Sequence, residues 1–245
     1  MVRSNTVKFV VIISVLISLS VGGIFAQDGG HGHGEHEGES RPEIERESPI
    51  PLNVEAASEI GFVYQAFPSP QQQGGDEEDA PRFFPEQFLS SEPSTPREDR
   101  PSRAHAVLEF TNDLSRAYLH VQLINVDPES IEMFHLHCGR PAELGPIIVD
   151  VGLMGDVSEY FEDGMLTIEI TNADIEAVID SGEGILGVFS FGCPINAINP
   201  NVHVVTIGGM EEVARKGELY FNLHTSNHTF FGEARGAFYP VDMNE

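Results

Sequence analysis

Residues 133–149 read Met-Phe-His-Leu-His-Cys-Gly-Arg-Pro-Ala-Glu-Leu-Gly-Pro-Ile-Ile-Val, and the rest of the chain can be interpreted outward from this stretch. Side chains on a β-strand alternate between its two faces, so His135 and His137 share one face and the apolar residues that alternate with them share the other. Gly139 and Pro141 then favour a tight turn, and the apolar residues after it favour another strand. The stretch therefore predicts two successive strands, the first with a histidine face.

Short segments with the same period of two occupy most of the chain after residue 82. They predict strands over 104–111, 117–124, 130–138, 145–151, 165–170, 202–207, 217–224 and 233–240, after a short first strand near 83–89. Thr171 or Asn172 can cap one short helix that ends near Gly182. The pattern predicts an all-β fold, an antiparallel Greek-key-like sandwich or barrel with one short helix.

The N-terminus has the features of a secretory signal peptide over residues 1–26. Arg3 and Lys8 form a short positive region, residues 9–21 are apolar apart from serines, and Ala26 is a small residue at the cleavage position. A retained N-terminal anchor is the alternative. No later run approaches the roughly 20 apolar residues that span a bilayer, so we expect a secreted or extracytoplasmic protein without a membrane span after signal removal.

Two regions of different composition follow the signal peptide. Residues 27–81 form a Gly/His/Pro/acid-rich segment that we expect to be disordered, and residues 82–241 form the predicted domain. A histidine tract at residues 31–36 is either a flexible spacer or a weak metal-binding tract. An apolar patch at residues 60–67 leaves open whether this part of the segment joins the domain.

The charge of the chain limits its partners. It has 39 acidic and 13 basic residues, a formal net charge of −26, which becomes −28 once Arg3 and Lys8 leave with residues 1–26. Nucleic acids and anionic membranes are bound through clustered Lys and Arg, so we expect no nucleic-acid partner. The acidic surface suits solubility, cationic partners or divalent ions.

Cys138 and Cys193 are the two cysteines of the chain. In an exported protein an even pair predicts a disulfide, and the oxidising compartment disfavours a thiol nucleophile. The predicted bond links positions 55 residues apart. Chain entropy gives such a bond a stabilising contribution of about 3–4 kcal/mol.

A third histidine can join the two of the opening stretch. Alternation in the predicted strand 217–224 places His224 on its polar face. If that strand neighbours the first, His135, His137 and His224 could hold one copper or zinc ion. The alternative is structural, with the rings bonded to loop backbone at the end of the sandwich. No fourth ligand is visible from spacing.

Catalytic signatures are missing from the sequence. It has no Gly-x-Ser-x-Gly elbow, no Gly-Lys-Ser/Thr phosphate loop and no His-Glu-x-x-His helix. Glu233 and Arg235 lie two residues apart and face the same way, which favours an ion pair or a turn-stabilising arginine over a catalytic acid. The sequence therefore predicts a protein that is not an enzyme and has no catalytic residues and no cofactor.

Asn227 begins the sequon Asn-His-Thr for N-glycosylation. It falls in the loop between the last two predicted strands, where a glycan could be accommodated. A three-residue match is weak evidence, and Asn227 is retained as a candidate glycosylation site.

Several of these motifs resemble the signature of the CHRD domain family, first named in chordin. Residues 134–149 resemble its His-Ile-His-x-Gly … Gly-Pro-Val-Val motif, and residues 171–175 resemble its short helix start. Residues 217–225 and 232–236 resemble its closing Gly-x-x-Tyr-x-Asn-x-His-Thr … Gly-Glu-Ile-Arg-Gly signature. Two separated motifs in the right order make this resemblance specific.

The resemblance covers residues 83–239 and has three departures. The opening loop, residues 89–103, is longer and more charged than usual, and residues 184–209 carry extra length around Cys193. Residues 227–231 replace the usual Asn-Pro or His-Pro before Gly232. These departures concern loop contacts and leave the implied fold unchanged.

The resemblance implies an extracellular β module. In chordin, CHRD domains accompany cysteine-rich repeats that bind bone morphogenetic proteins, but this chain lacks those repeats, so that partner does not carry over. The His-x-His strand also resembles that of copper/zinc superoxide dismutases, whose bridging histidine and zinc aspartate cannot be placed here.

Together these observations predict a secreted, non-enzymatic CHRD-domain protein that binds an extracellular protein or a surface ligand. The alternative is a metal-binding sandwich that uses His135, His137 and His224 for copper or zinc and could be redox-active.

Overall fold

The computed structural model describes residues 54–141, 143–182, 192–195 and 202–242. These residues form two antiparallel sheets that enclose a common hydrophobic core, which confirms the predicted all-β sandwich. The predicted signal peptide and residues 27–53 of the predicted disordered segment lie outside the described residues.

Nine strands make up the two sheets in the described part of the chain. They are β1 (Ile60–Ala66), β2 (Arg103–Thr111), β3 (Ala117–Ile124), β4 (Ile131–Cys138), β5 (Ile147–Asp150), β6 (Met165–Ile170), β7 (Leu219–Thr225), β8 (Ala234–Ala237) and β9 (Tyr239–Pro240). The five-stranded sheet has the order β6-β3-β2-β1-β9, and the four-stranded sheet has the order β5-β4-β7-β8.

Apolar side chains from both sheets fill the core. Phe110 and Leu119 come from the five-stranded sheet, Phe134 and Phe221 come from the four-stranded sheet, and all four are fully buried. The Phe134 and Phe221 rings lie 4.7 Å apart between centroids. The period-2 alternation of each strand therefore aims one apolar face at the other sheet, where burial drives folding.

Residues 60–66, whose place the sequence left open, form β1 inside the five-stranded sheet. Tyr64 pairs with Leu108 on β2 and with Pro240 on β9, and Tyr64 and Ala66 are buried. The predicted disordered segment is therefore too long at its C-terminal end, because residues 54–81 belong to the folded unit. The β1 backbone covers an edge of β2 that would otherwise be open.

Three helices are present in the described residues, α1 (Val157–Tyr160), α2 (Asn172–Ser181) and α3 (Ile207–Arg215). Helix α2 is the predicted one, with Thr171 before its first residue. The strand predicted over 202–207 is wrong, because α3 begins at Ile207 and its buried residues Ile207, Met210 and Ala214 recur at helical spacing.

The short strand predicted near residues 83–89 is also wrong. Glu86–Phe88 form a 3₁₀ turn instead. Phe84 packs edge-on against Phe230, with ring centroids 5.0 Å apart. The aromatic residues of this stretch therefore anchor a loop to the hairpin formed by β7 and β8, which we call the closing hairpin, and Pro85 precludes a regular strand.

Cys138, the last residue of β4, is bonded to Cys193, with their Cα atoms 6.0 Å apart. The bond connects the four-stranded sheet to the described segment 192–195. Within the ranges described, no helix has both the length and the apolar character needed to cross a bilayer.

A chain that starts at residue 82, the predicted domain boundary, lacks β1. We expect it to lose more than about 3 kcal/mol of folding free energy, because Tyr64 leaves the core and β2 loses a partner. Urea unfolding followed by circular dichroism measures this loss. A chain of residues 54–245 is the control and should unfold at the midpoint of the full protein. Equal midpoints for the two shortened chains would contradict the role of β1.

Candidate functional site

The face of the four-stranded sheet turned away from the core is polar but buried. On it lie His135, His137, Tyr220, Asn222, His224 and Arg235, which we call the histidine face. Each of these side chains belongs to a residue no more than 8% exposed. Both faces of β4 and β7 are therefore shielded from water, and polar groups on the histidine face need internal partners.

The three predicted histidines converge on this face. Met133 pairs with His224 across β4 and β7, which brings the β7 histidine beside the two on β4. One nitrogen of each ring lies within 4.8 Å of the others. The ring centroids of His135 are 5.4 Å from His137 and 5.2 Å from His224.

Backbone carbonyls fix the tautomers of two rings. Nδ1 of His137 donates to the carbonyl oxygen of Gly145 at 2.9 Å, and Nδ1 of His224 donates to that of Thr229 at 2.8 Å. A neutral imidazole has one donor and one acceptor nitrogen, so Nε2 of each ring keeps a lone pair. Nε2 of His224 accepts from the Asn222 amide at 3.1 Å.

His135 has a carboxylate neighbour. Its Nε2 lies 3.5 Å from Oδ1 of Asp150, the residue opposite it on β5. Nδ1 of His135 and Nε2 of His137 are buried and have no hydrogen-bond partner among the described residues. An unpaired buried polar atom is destabilising by about 1–3 kcal/mol, so these two nitrogens require an explanation.

Burial keeps two of these imidazoles neutral. It lowers the pKa of His137 well below 6.5, and the neighbouring His135 and His224 add to the effect. Burial, with the charge of His135, lowers the pKa of His224 to about 3. For Asp150, burial is the largest single effect and raises the pKa, but the hydrogen bond and charge of His135, the Gly152 amide and His224 together leave the pKa below its usual value. Neutral imidazoles next to a carboxylate are the forms that bind a metal ion.

The distances are close to those of a three-histidine ligand set. An ion about 2.0–2.1 Å from each nitrogen keeps its donors no more than about 4.2 Å apart. A pair at the 4.8 Å limit would therefore close by about 0.6 Å on binding. Two rings each cap backbone with one nitrogen and keep a lone pair on the other, so the structural and metal interpretations are both compatible with this geometry.

Tyr220 and Arg235 stack beside the histidines. The Tyr220 ring lies parallel to His137, with centroids 4.9 Å apart, and the Arg235 guanidinium carbon lies 3.6 Å from the Tyr220 ring centroid. Arg235 also donates to the carbonyl oxygen of Arg140 at 3.2 Å. Burial lowers the pKa of the Arg235 guanidinium, and a guanidinium placed over an aromatic ring makes a cation–π contact.

Asn222 connects the histidine face to the segment after β1. Gln73 donates to the Asn222 side-chain oxygen at 2.8 Å, and the Asn222 amide donates to the carbonyl oxygen of Phe231 at 3.0 Å. Gln73 is 4% exposed. It was not singled out in the sequence because its partner is 149 residues away.

Glu233 and Arg235 make separate contacts: Glu233 is paired with other residues, and Arg235 donates to the carbonyl oxygen of Arg140 just after β4. The Glu233 carboxylate accepts from His228 and from the Ser102 hydroxyl. Arg100 lies 3.8 Å from the same carboxylate and donates to the Glu233 carbonyl. Although burial raises the pKa of Glu233, the bonds from His228 and Ser102 lower it below its usual value. An ionised, fully bonded carboxylate holds the hairpin to the opening loop.

The Asn227 side chain participates in the same contact between loop and hairpin. Its amide donates to the carbonyl oxygen of Pro93 at 2.7 Å. Thr229, the third sequon residue, is buried and donates to Glu132 at 2.9 Å. Glycosylation of Asn227 stays a prediction, and in the folded protein its amide is already engaged.

The sequence profile of the CHRD domain family matches residues 87–238. The match contains the three histidines, Asp150 and the closing hairpin. No curated protein and no solved structure matches the chain.

The lowered pKa values of His137 and His224 predict that the folded protein becomes less stable as the pH falls from 6.5 to 5. Between pH 6.5 and 5 the unfolded chain protonates His137 and His224, whereas the folded protein does not. Because the unfolded state binds more protons, the free energy of unfolding should fall as pH falls. Urea unfolding at several pH values, with chelator present, measures the slope. The double variant His137→Gln, His224→Gln should have a flatter slope, and an unchanged slope would contradict the assignment.

Proposed function

Because this chain belongs to the CHRD domain family, we propose that it is a secreted, non-enzymatic binding module of the extracellular space. One observation supports this best: much of the polar family signature is used to hold the fold. Asn222 is bonded to Gln73, Glu233 to His228, and Arg235 lies over Tyr220. Side chains engaged in this way stabilise a scaffold, and binding is then left to its loops and surface.

An extracytoplasmic location is supported by two features. The disulfide between Cys138 and Cys193 is typical of oxidising compartments. Residues 1–26 have the composition of a signal peptide, and cleavage after Ala26 leaves residues 27–53 as an acidic, histidine-containing tether before the folded unit.

The partner is an extracellular protein or a surface ligand with positive charge. A formal net charge of −26 repels nucleic acid and anionic membranes and attracts basic surfaces. Bone morphogenetic proteins are not inferred, because the cysteine-rich repeats that bind them in chordin are missing from this chain.

Binding by the folded unit can be separated from binding by the tether. Labelled full-length protein should bind intact cells or extracellular matrix of the source organism saturably, and unlabelled residues 54–245 should compete with it. A peptide of residues 27–53 is the control and should not compete. Competition by the peptide alone, or binding that never saturates, would overturn the proposal.

N-terminal sequencing of the exported protein should start at Gln27.

A second function, metal binding, is favoured by a specific observation. Nδ1 of His135 and Nε2 of His137 are buried and find no partner within the described parts of the chain, and a bound ion would satisfy both. Imidazole ligands suit copper and zinc, so His135, His137 and His224 form the proposed ligand set. A copper ion at this position would add a redox centre to the module.

Zn²⁺ or Cu²⁺ should stabilise residues 54–245, which lack the His31–His36 tract. A ligand at 100 times its Kd adds about 2.7 kcal/mol to the folded state, a shift of several degrees in Tm. Thermal unfolding at increasing metal concentration measures this shift, with Mg²⁺ as the inert comparison. His137→Gln should abolish the shift, while His120→Gln, a partly exposed histidine on the other sheet, should preserve it. No shift for the wild-type chain at micromolar metal would reject this function.

A further inference from the structure

The hydrogen bonds around the three rings indicate how a metal would be held. We infer that Asp150 is a positioning residue that orients His135, so that Nδ1 of His135 and Nε2 of His137 and His224 are the ligand atoms for one borderline divalent ion. This inference rests on the metal function proposed above and extends it to the ligand atoms and to a residue that no spacing pattern indicated.

Strand pairing brings Asp150 beside His135, although the two residues are 15 positions apart in the chain. Asp150 is the last residue of β5 and pairs with His135 of β4, so both side chains lie on the same side of the sheet. Its Oδ1 is 3.5 Å from Nε2 of His135 and also accepts from the Gly152 backbone at 2.8 Å. The Gly152 bond holds the carboxylate in place while it faces the imidazole.

The three rings then share one arrangement. Asp150 faces Nε2 of His135, and the carbonyl oxygens of Gly145 and Thr229 accept from Nδ1 of the other two rings. Each ring therefore directs one nitrogen to a protein acceptor and has a lone pair on the other. Metal-binding histidines are usually held in this way, because the outer acceptor fixes the tautomer and makes the ligand nitrogen more basic.

The carboxylate of Asp150 and the nitrogen donors of the histidines also favour a borderline divalent cation. Imidazoles bind a metal ion in their neutral form, so a buried dication held by three of them needs an anion nearby. The side chain of Asp150 is 17% exposed and provides a carboxylate next to His135. Nitrogen donors favour zinc and copper over calcium and magnesium, which prefer oxygen.

Asn222 adds a condition to binding. Its amide donates to Nε2 of His224 in the present arrangement, and Gln73 holds the other end of the same amide group. An ion must take this lone pair from Asn222, whereas the nitrogens on His135 and His137 are already free among the described residues. Binding by all three histidines therefore requires the Asn222 amide to give up its bond to His224.

Asp150→Asn, made in residues 54–245, tests the inference by competition against a coloured zinc chelator. It keeps the size of the side chain and its oxygen for Gly152 but removes the charge, and we expect a 10- to 100-fold weaker Zn²⁺ affinity. Asp127→Asn is the matched control, because Asp127 caps a 3₁₀ turn through the Glu129 amide as Asp150 does through Gly152 but lies away from the histidines. It should bind zinc within twofold of the wild type. Asp150→Glu should restore part of the affinity.

A second measurement follows the tautomer without metal. In ¹⁵N-labelled apo protein the proton of His135 should reside on Nε2 and should leave Nε2 or become mixed in Asp150→Asn, while His137 and His224 keep theirs on Nδ1. If the wild-type chain binds zinc, and Asp150→Asn has the same zinc affinity and the same His135 tautomer as the wild type, the inference is overturned. The proposed metal function would then still hold. A wild-type chain that binds neither zinc nor copper overturns both.

Discussion

The antiparallel register between β4 and β7 is the constraint on which the rest of the structure depends. It places Phe134 against Leu223 on the core side and His137 against Tyr220 on the other side. A shift of one residue would exchange the two faces and put imidazoles into the core. The disulfide at Cys138 and the bulge near Ile131 lie at the two ends of this pairing. A single register therefore determines both the hydrophobic core and the convergence of the histidines.

Burying both faces of these strands creates a requirement that exposed sheets avoid. Every polar side chain on the histidine face must find a partner inside the protein, and such networks are specific only when nearly complete. The amide of Asn222 meets this requirement through distant Gln73, and Arg235 meets part of it through Tyr220 and the carbonyl oxygen of Arg140. Among the described residues of this layer, the buried nitrogens without a partner are Nδ1 of His135, Nε2 of His137 and one terminal guanidinium nitrogen of Arg235.

Much of this arrangement could be predicted from local pattern. The alternation in β4 and β7 gave the correct faces for all three histidines, and the capping residue Thr171 gave the correct start of α2. These features depend on residues close together in the chain, which is where periodicity is informative. The convergence of His224 with the first two histidines required only that two strands be neighbours.

The features that were predicted wrongly or not at all have a common physical cause: they depend on contacts between segments that are far apart in the chain. Helix α3 contains Gly208 and Gly209, which favour turns locally, but three of its apolar residues reach the core and Thr206 caps it by accepting from Gly209. Residues 60–66 follow a proline- and acid-rich stretch, and only pairing with β2 makes them a strand. Asp150 could not be assigned to His135 without the β4–β5 register, because the turn between these strands does not fix it.

The position of β1 has a consequence for how the protein is made. Tyr64 pairs with Pro240, 176 positions later, so β1 cannot complete its pairing until β9 has emerged. Contacts at such long separation slow folding, and until then β1 has an unpaired edge that a second molecule can occupy. A chain that stops before residue 239 would leave the edge permanently open and prone to aggregation.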